Sequence, residues 1–284
     1  MNILACFENR VRQDTTGNYL VNGLRSLGHH VDHILPEKIH TIVGGYDFYL
    51  RCDDGIKGYL WNENLRPSAY YCIDTHIETD WRIEMANRGR FDLVSVVHSQ
   101  GLELPWGREV FFNPVGCDPD VHYVGLKDKL YDGCFIGNFH NNLAGPRVEM
   151  LDTFFKAAPN FFFGNRMFKE MTEKYAESKI VFNRSINGDL NMRSFEAMCS
   201  GSCLVTDRVP DLHKLGFIDK AHYFGYSSKE ELNDITHMLL SQDSMRERVA
   251  KNGRQFVLEH HTYAKRMKTM LEKLPLRTGE LCPH

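Results

Sequence analysis

The sequence predicts an α/β chain made of two doubly wound domains in tandem. Apolar runs of strand length alternate with amphipathic stretches of helix length, the pattern of a parallel sheet covered on both faces. That rhythm breaks at "PVGCDPDVHY" (Pro114 to Tyr123), rich in Pro, Gly and Asp, and a second alternating set follows. With 284 residues and 42% hydrophobic content, the chain has the length for two domains that each bury a core.

The elements follow in order. "NILACF" reads as the first strand, "TGNYLVNGLRSLGHH" as a helix with Leu20, Leu24 and Leu27 on one stripe and a stop at Gly28, and "HVDHIL" as the second strand of a right-handed βαβ unit. "YDFYLR", "SAYYCID", "FDLVSVV" and "EVFFNPV" continue as strands. The second set runs "DGCFIGN", a helix from Arg147 to Ala157, "NFFFG", a helix from Lys169 to Glu177, "KIVFN", a helix in "LNMRSFEAMCSG", "CLVTD", "AHYFGY" and a helix beginning near Ser228. Two helical stretches close the chain, Met245 to Leu258 and Thr262 to Leu274. The expected boundaries are 1–118, 119–258 and a terminal helix and tail at 259–284.

Composition narrows the function. A formal net charge of -3 supplies no basic field for tight non-specific binding to nucleic acid or anionic membrane. The N-terminus lacks a basic, cleavable leader pattern and no stretch approaches a membrane span, so a soluble cytoplasmic protein is expected. The eight cysteines form no CxxC pair and no Cys/His zinc spacing, and read as reduced core thiols. No GxGxxG or GxxxxGKS/T occurs, so any phosphate must be held by other means.

The best candidate is the helix of "LNMRSFEAMCSG". Asp189 or Asn191 can cap it, which leaves the amides of Met192 and Arg193 facing outward where the helix dipole favours an anion. Glu196 lies one turn further in, placed to accept hydrogen bonds from a pair of sugar hydroxyls; the bland alternative is a surface ion pair with Arg193. In the first domain, Asp74, Thr75 and His76 follow a strand and are expected to face the interdomain cleft, the alternative being a strand-end histidine that satisfies loop backbone. The loop Glu8 to Asn18 places Thr16 and Gly17 to approach the acceptor or a diphosphate, and Arg10 and Arg12 suit an anionic acceptor, the equal alternative being a flexible, solvated loop. Asp118-Pro119-Asp120 matches a metal-binding DxD only formally, because it sits in the linker; no metal ligands are assigned.

"YAESKIVFNRSINGDLNMRSFEAMCSGSCLVTDRVPDL" followed by "EHHTYAKRM" resembles the donor-binding domain of GT-B glycosyltransferases, especially the spore-protein CgeB-like branch of the retaining family 4 type. FEAMxxG, the earlier "FIGN" and the HTYxxR stretch occur in that family's order, and the resemblance covers Asp132 to Leu271. It implies two Rossmann-like domains facing a cleft, with the C-terminal helix crossing back to the first. It also implies that Gly137 and Asn138 line the diphosphate with Arg147 nearby, that Arg166 and Met167 flank the base, and that Glu196 binds the ribose. Asn183, Arg184 and the amides from Asn191 to Arg193 would meet the phosphates and donor sugar, and His76, beside Asp74, would touch that sugar. The family's second glutamate, eight residues before Glu196, is here Gly188; either Asp189 beside it substitutes or the donor-sugar contact is rearranged. The implied activity is metal-independent transfer of a sugar from a nucleotide diphosphate sugar, used as donor substrate with no cofactor, to an acceptor hydroxyl with retention. His76, Asp74, Arg184 and Asp189 are the implied catalytic set. A sugar-nucleotide epimerase and a noncatalytic sugar-nucleotide or glycan binder are the alternatives, and the acceptor is left open among glycan, small molecule, protein and modified DNA.

Overall fold

The structure, a computed structural model, describes residues 1–58, 61–137 and 145–274. The chain forms two compact units, one of Met1–Pro114 with the chain from Tyr263 onward, the other of Val115–Thr262. In the first unit the order is β1 (Asn2–Cys6), α1 (Thr16–Ser26), β2 (His30–Ile34), β3 (Phe48–Cys52), β4 (Ser68–Cys72), α2 (Thr79–Arg88), β5 (Leu93–Val96) and β6 (Phe111–Phe112). These strands form a parallel sheet in the order β2-β1-β3-β4-β5-β6. Every residue of β3 and β4 is buried, as expected for central parallel strands covered on both faces.

Three local expectations need correction. Leu20 and Leu24 are wholly buried, but Leu27 is 36% exposed because it already lies at the C-cap, one residue before Gly28 turns to φ 85°. The strand expected across "EVFFNPV" is only two residues long, and Pro114 just beyond it has no N–H to extend a ladder. Helix α2 was not anticipated: its buried face includes Arg82 beside Met85 and Ala86, which blurs the apolar period.

The second unit runs β7 (Tyr131–Ile136), α3 (Gly145–Ala157), β8 (Phe161–Gly164), α4 (Phe168–Ala176), β9 (Ser178–Phe182), α5 (Met192–Cys199), β10 (Cys203–Asp207), α6 (Pro210–Lys214), β11 (Phe224–Tyr226), α7 (Lys229–Ser241) and α8 (Asp243–His260). Its sheet is also parallel, in the order β11-β10-β9-β7-β8. Phe135, Phe154, Phe182, Val205 and Leu239 are among the fully buried residues of its core. Helix α7 starts where its sequence says it should, with Ser228 accepting from the Glu231 N–H as N-cap.

The last described helix, α9 (Tyr263–Glu272), belongs to the first unit and lies on α1, with Tyr19 stacked on Tyr263 at 5.4 Å. The units part after Pro114 and Thr262 rather than at 118 and 258, because the Cys117 N–H donates to the His261 carbonyl and Cys117 bridges Thr262, which ties both segments to the second unit. Among the described residues, the cysteines are all free and buried, and no helix is long and apolar enough to cross a membrane. Burial pushes the thiols of Cys6, Cys134 and Cys203 up to about 12.

Gly23 is the contact point of α1 with α9. A Cβ there would stand 2.8 Å from the Tyr263 carbonyl carbon, on backbone that cannot rotate away. Gly23→Ala is therefore expected to lose about 1–2 kcal/mol net, overpacking outweighing the helix-propensity gain. Urea denaturation checks this, and unchanged stability would mean that α9 is not seated on α1.

Candidate functional site

In the second unit β7, the first strand, lies between β8 and β9, so the winding reverses there. Open α/β sheets bind ligands beyond the carboxyl ends of their strands at such a reversal. The residues that meet this point are Gly137 after β7, Asn183 and Arg184 after β9, and the first turns of α5.

Arg193 organises the region. Its guanidinium donates to the Ile136 carbonyl at 2.9 Å and to Asn183 Oδ1 at 2.6 Å, and it lies 4.4 Å from the Phe135 ring centroid. Room for it exists because residue 137 is glycine: φ is 154°, and an added Cβ would collide with Arg193 Nη2. Asn183, 1% exposed, is the matching hub. Its side-chain nitrogen donates to Ser194 Oγ and Thr206 Oγ1, its Oδ1 also accepts from Asn191, and its carbonyl accepts from the Tyr226 hydroxyl. Asn183 and Arg193 thus hold β7, β9, β10 and α5 together, and the phosphate contact expected of Asn183 has no side-chain atom left to make it. Asn191 is the N-cap of α5 by backbone position, yet its side chain makes no capping bond and its Oδ1 is buried without a hydrogen-bond partner. Met192 opens the helix half-buried beside it.

Glu196 is 6% exposed, which rules out the surface ion pair. Its Oε1 lies 3.8 Å from Nε2 of the fully buried His122, beyond hydrogen-bond length. Burial pushes the His122 imidazole down to about 3, so this neighbour is neutral and supplies no counter-charge. Asp118 belongs to the same turn: its N–H donates to His122 Nδ1 and its Oδ1 accepts from the Asp120 N–H, a structural use of the DPD stretch.

Two more cations stand near the strand ends. Arg147 is buried and bonds the Arg184 carbonyl through Nε and Nη2, and its pKa is pushed down to about 10 by burial and by Arg193. Arg184 is the more open, its side chain 28% exposed, with Nη1 3.2 Å from Asp207 and Nε buried without a hydrogen-bond partner. Asp207 was missed by sequence reasoning although it ends β10, the same strand-end position that singled out other candidates; it also accepts from the Ser185 N–H at 2.8 Å and from the Ser185 hydroxyl. Asp189 does not cap α5: its Oδ1 accepts from the Ile186 N–H and closes a turn in which Asn187 and Gly188 are left-handed, at φ 54° and 77°. Arg166 and Met167 are both exposed ahead of α4, with the Arg166 guanidinium 5.5 Å from the Phe162 ring centroid. Asn138 lies outside the described residues.

The first unit holds its candidates apart in sequence. Gly17 is a packing residue: a Cβ would stand 2.6 Å from Phe7 Cδ1, so the helix can lie on that ring only without a side chain. Arg10 is answered by Glu8, whose carboxyl it pulls down to about 2, and by Glu37, while Arg12 meets Asp14. Asp74 and His76 follow β4, and His98, which the sequence reading passed over, follows β5 in the neighbouring strand; the His76 and His98 rings meet edge to face at 4.8 Å. The signal for His98 was available, since it ends "FDLVSVVH" as His76 ends the preceding strand's turn.

Two outcomes follow from this geometry. Arg193→Met removes two charge-assisted bonds from a structural knot, and should cost about 2–3 kcal/mol in urea denaturation; unchanged stability would return Arg193 to a ligand-facing role. His122 binds a proton in the unfolded chain below its ordinary 6.5 but not in the folded one until about 3. The unfolded state therefore holds more protons across that window, so stability falls as pH falls through it. His122→Gln should flatten the acid side of the melting temperature's pH profile, and a profile superimposable on the parent's would refute a buried neutral His122.

Comparisons with known proteins bear on the same regions. Residues 138–272 match the family described as "Glycosyl transferase-like". No curated protein matches at the level of sequence. Among solved structures, the chain is similar to HepE of Anabaena in complex with UDP and glucose, at a TM-score of 0.68 and 13% identity over 96% of this chain and 99% of that one. Sucrose-phosphate synthase of Thermosynechococcus elongatus matches at 0.60 and 12% identity, over 96% and 99%. BGT of T4 phage in complex with its UDP-glucose substrate matches at 0.60 and 13% identity, over 97% and 100%. The family description is coarser than the CgeB-like branch. The chain has the fold of GT-B glycosyltransferases, α/β with two parallel sheets, and carries a glycosyl transferase-like sequence pattern from 138 to 272.

Proposed function

We propose that the protein transfers a sugar from a nucleotide diphosphate sugar to an acceptor hydroxyl, with the nucleotide held by the second unit. The observation that carries this reading is Glu196, a carboxylate 6% exposed, one turn into the helix that starts at the winding reversal of a parallel sheet. A carboxylate has acceptor capacity on both oxygens, so at that position it can accept from the two hydroxyls of a ribose held over the strand ends. HepE of Anabaena and BGT of T4 phage were solved with UDP or UDP-glucose, which makes UDP the first nucleotide to try.

In this reading Arg184 faces the diphosphate, since its side chain is 28% exposed while it pairs with Asp207. The amides of Met192 and Arg193 and the N-terminal dipole of α5 add fixed positive potential where charge builds on the leaving group. Gly137 brings backbone to the same point, and Arg147 contributes charge from behind through the Arg184 carbonyl it binds. Asp189 stands in for the glutamate that the family resemblance places at Gly188 and meets the donor sugar. Arg166 and Met167 flank the base. Retention is the outcome implied by the retaining, CgeB-like resemblance, with the acceptor proton passing to the departing phosphate. The noncatalytic binder stays in view through one feature: residue 188 is a glycine at φ 77°, so no side chain can take the second glutamate's place at that position.

Incubation with a panel of nucleotide sugars, following release of free nucleoside diphosphate, separates transferase from binder; tight binding without release favours the binder. Glu196→Ala should weaken UDP binding by about 1.5–3 kcal/mol in calorimetry while the melting temperature holds. Unchanged affinity with a lowered melting temperature would make Glu196 structural. Because BGT of T4 phage was also solved with UDP and Mn2+, metal-free capture of the diphosphate needs its own measurement. UDP affinity should be the same with and without EDTA, and a loss restored by Mn2+ would overturn it.

A further inference from the structure

Three potential ligand side chains of the first unit stand together, and two of them present a buried ring nitrogen with no hydrogen-bond partner. Asp74 and His76 follow β4, His98 follows the adjacent β5, and one ligand atom from each lies within 4.8 Å of the others. His98 is 4% exposed, and its Nδ1, like that of His76, is buried without a hydrogen-bond partner. A buried polar atom left unsatisfied costs about 1–3 kcal/mol, and native structures rarely leave two side by side. The surroundings keep the group together. Gly101 lets the chain after His98 approach Thr75, to whose Oγ1 a Cβ would stand 2.8 Å, and Arg82 Nη1 donates to the Ile77 carbonyl at 2.6 Å while its Nε binds Asp53 at 2.5 Å.

We propose that Asp74, His76 and His98 are the ligands of a divalent transition-metal ion, with Zn2+ the best fit. Two imidazole nitrogens and one carboxylate oxygen form a borderline donor set suited to zinc and its neighbours, whereas Ca2+ and Mg2+ take oxygen ligands. In a tetrahedral zinc site with bonds of about 2.0–2.1 Å the ligand atoms stand about 3.3 Å apart, so the widest pair closes by about 1.5 Å on binding. Asp74 and His76 are half-buried, which gives the ion a way in and the side chains room to rotate. Three protein ligands leave one position for water or a substrate hydroxyl, the pattern of an open site rather than a closed structural one. Metal ligation is an alternative to the direct contact with donor sugar that the family resemblance implies for His76. It stands independently of the nucleotide reading, because all three ligands belong to the first unit.

The test uses the full chain, stripped by chelator, dialysed, and titrated with Zn2+ by calorimetry in the absence of nucleotide. Binding of about one equivalent is expected, with Co2+ in its place giving the intense visible absorption of a tetrahedral ion. Losing a direct ligand should exceed the cost of losing an outer-shell partner, so Asp74→Asn, His76→Gln and His98→Gln should each lower affinity more than about 10-fold. Zn2+ should raise the melting temperature of the parent and not of His76→Gln, a half-buried position whose metal-free variant should melt with the metal-free parent. No saturable Zn2+ binding by the parent, or binding that His76→Gln and Asp74→Asn leave intact, would overturn the proposal.

Discussion

The second unit depends on one guanidinium being allowed into a place where most residues would exclude it. Arg193 reaches the Ile136 carbonyl only across a residue without a Cβ, and its second bond fixes Asn183, from which bonds run to Asn191, Ser194 and Thr206. A charge-assisted bond is about twice as strong as a neutral one, and this one sits between strand ends rather than in solvent. The consequence is a rigid floor: the start of α5 is aimed by buried polar contacts and not by a cap, since Asn191 makes no capping bond. Glu196 takes its place from that floor.

The first unit uses the same device with different residues. Two buried ion pairs, Arg51 with Asp54 and Arg82 with Asp53, lie at the ends of β3 and α2 with side chains at most 4% exposed. Breaking one such pair strands a buried charge and costs about 3–5 kcal/mol, although the pair itself adds little over an apolar substitute. What they supply is position. Arg82 binds the carbonyls of Ile77 and Glu78, and so fixes the turn that carries Asp74 and His76 after β4.

Much of this was legible in the sequence where the signal is local. Strand-length apolar runs mark both parallel sheets, and the polar start of α5 singles out Glu196 as a candidate. Non-local facts stayed hidden. That Arg193 is a structural tie and not an exposed ligand depends on Gly137, fifty-six positions earlier. That Gly17 serves packing depends on the Phe7 ring beneath it. His98 joins Asp74 and His76 only because β4 and β5 pair in parallel, register that no single stretch records. Helix α2 hid for a different reason: a buried arginine on its inner face counts as polar in any periodicity yet packs as core.

The return of α9 to α1 also bears on how the chain is made. The second unit is an insertion between two parts of the first, contiguous in sequence from Val115 to Thr262. During synthesis it has all its residues at the moment Thr262 leaves the ribosome, and domains fold as units once complete. The first unit was started earlier but finishes later: the face of α1 around Tyr19 and Gly23 has no cover until Tyr263 and the helix behind it emerge. The nascent chain thus carries an uncovered apolar face through more than half of its translation, and the order of completion is the reverse of the order of synthesis.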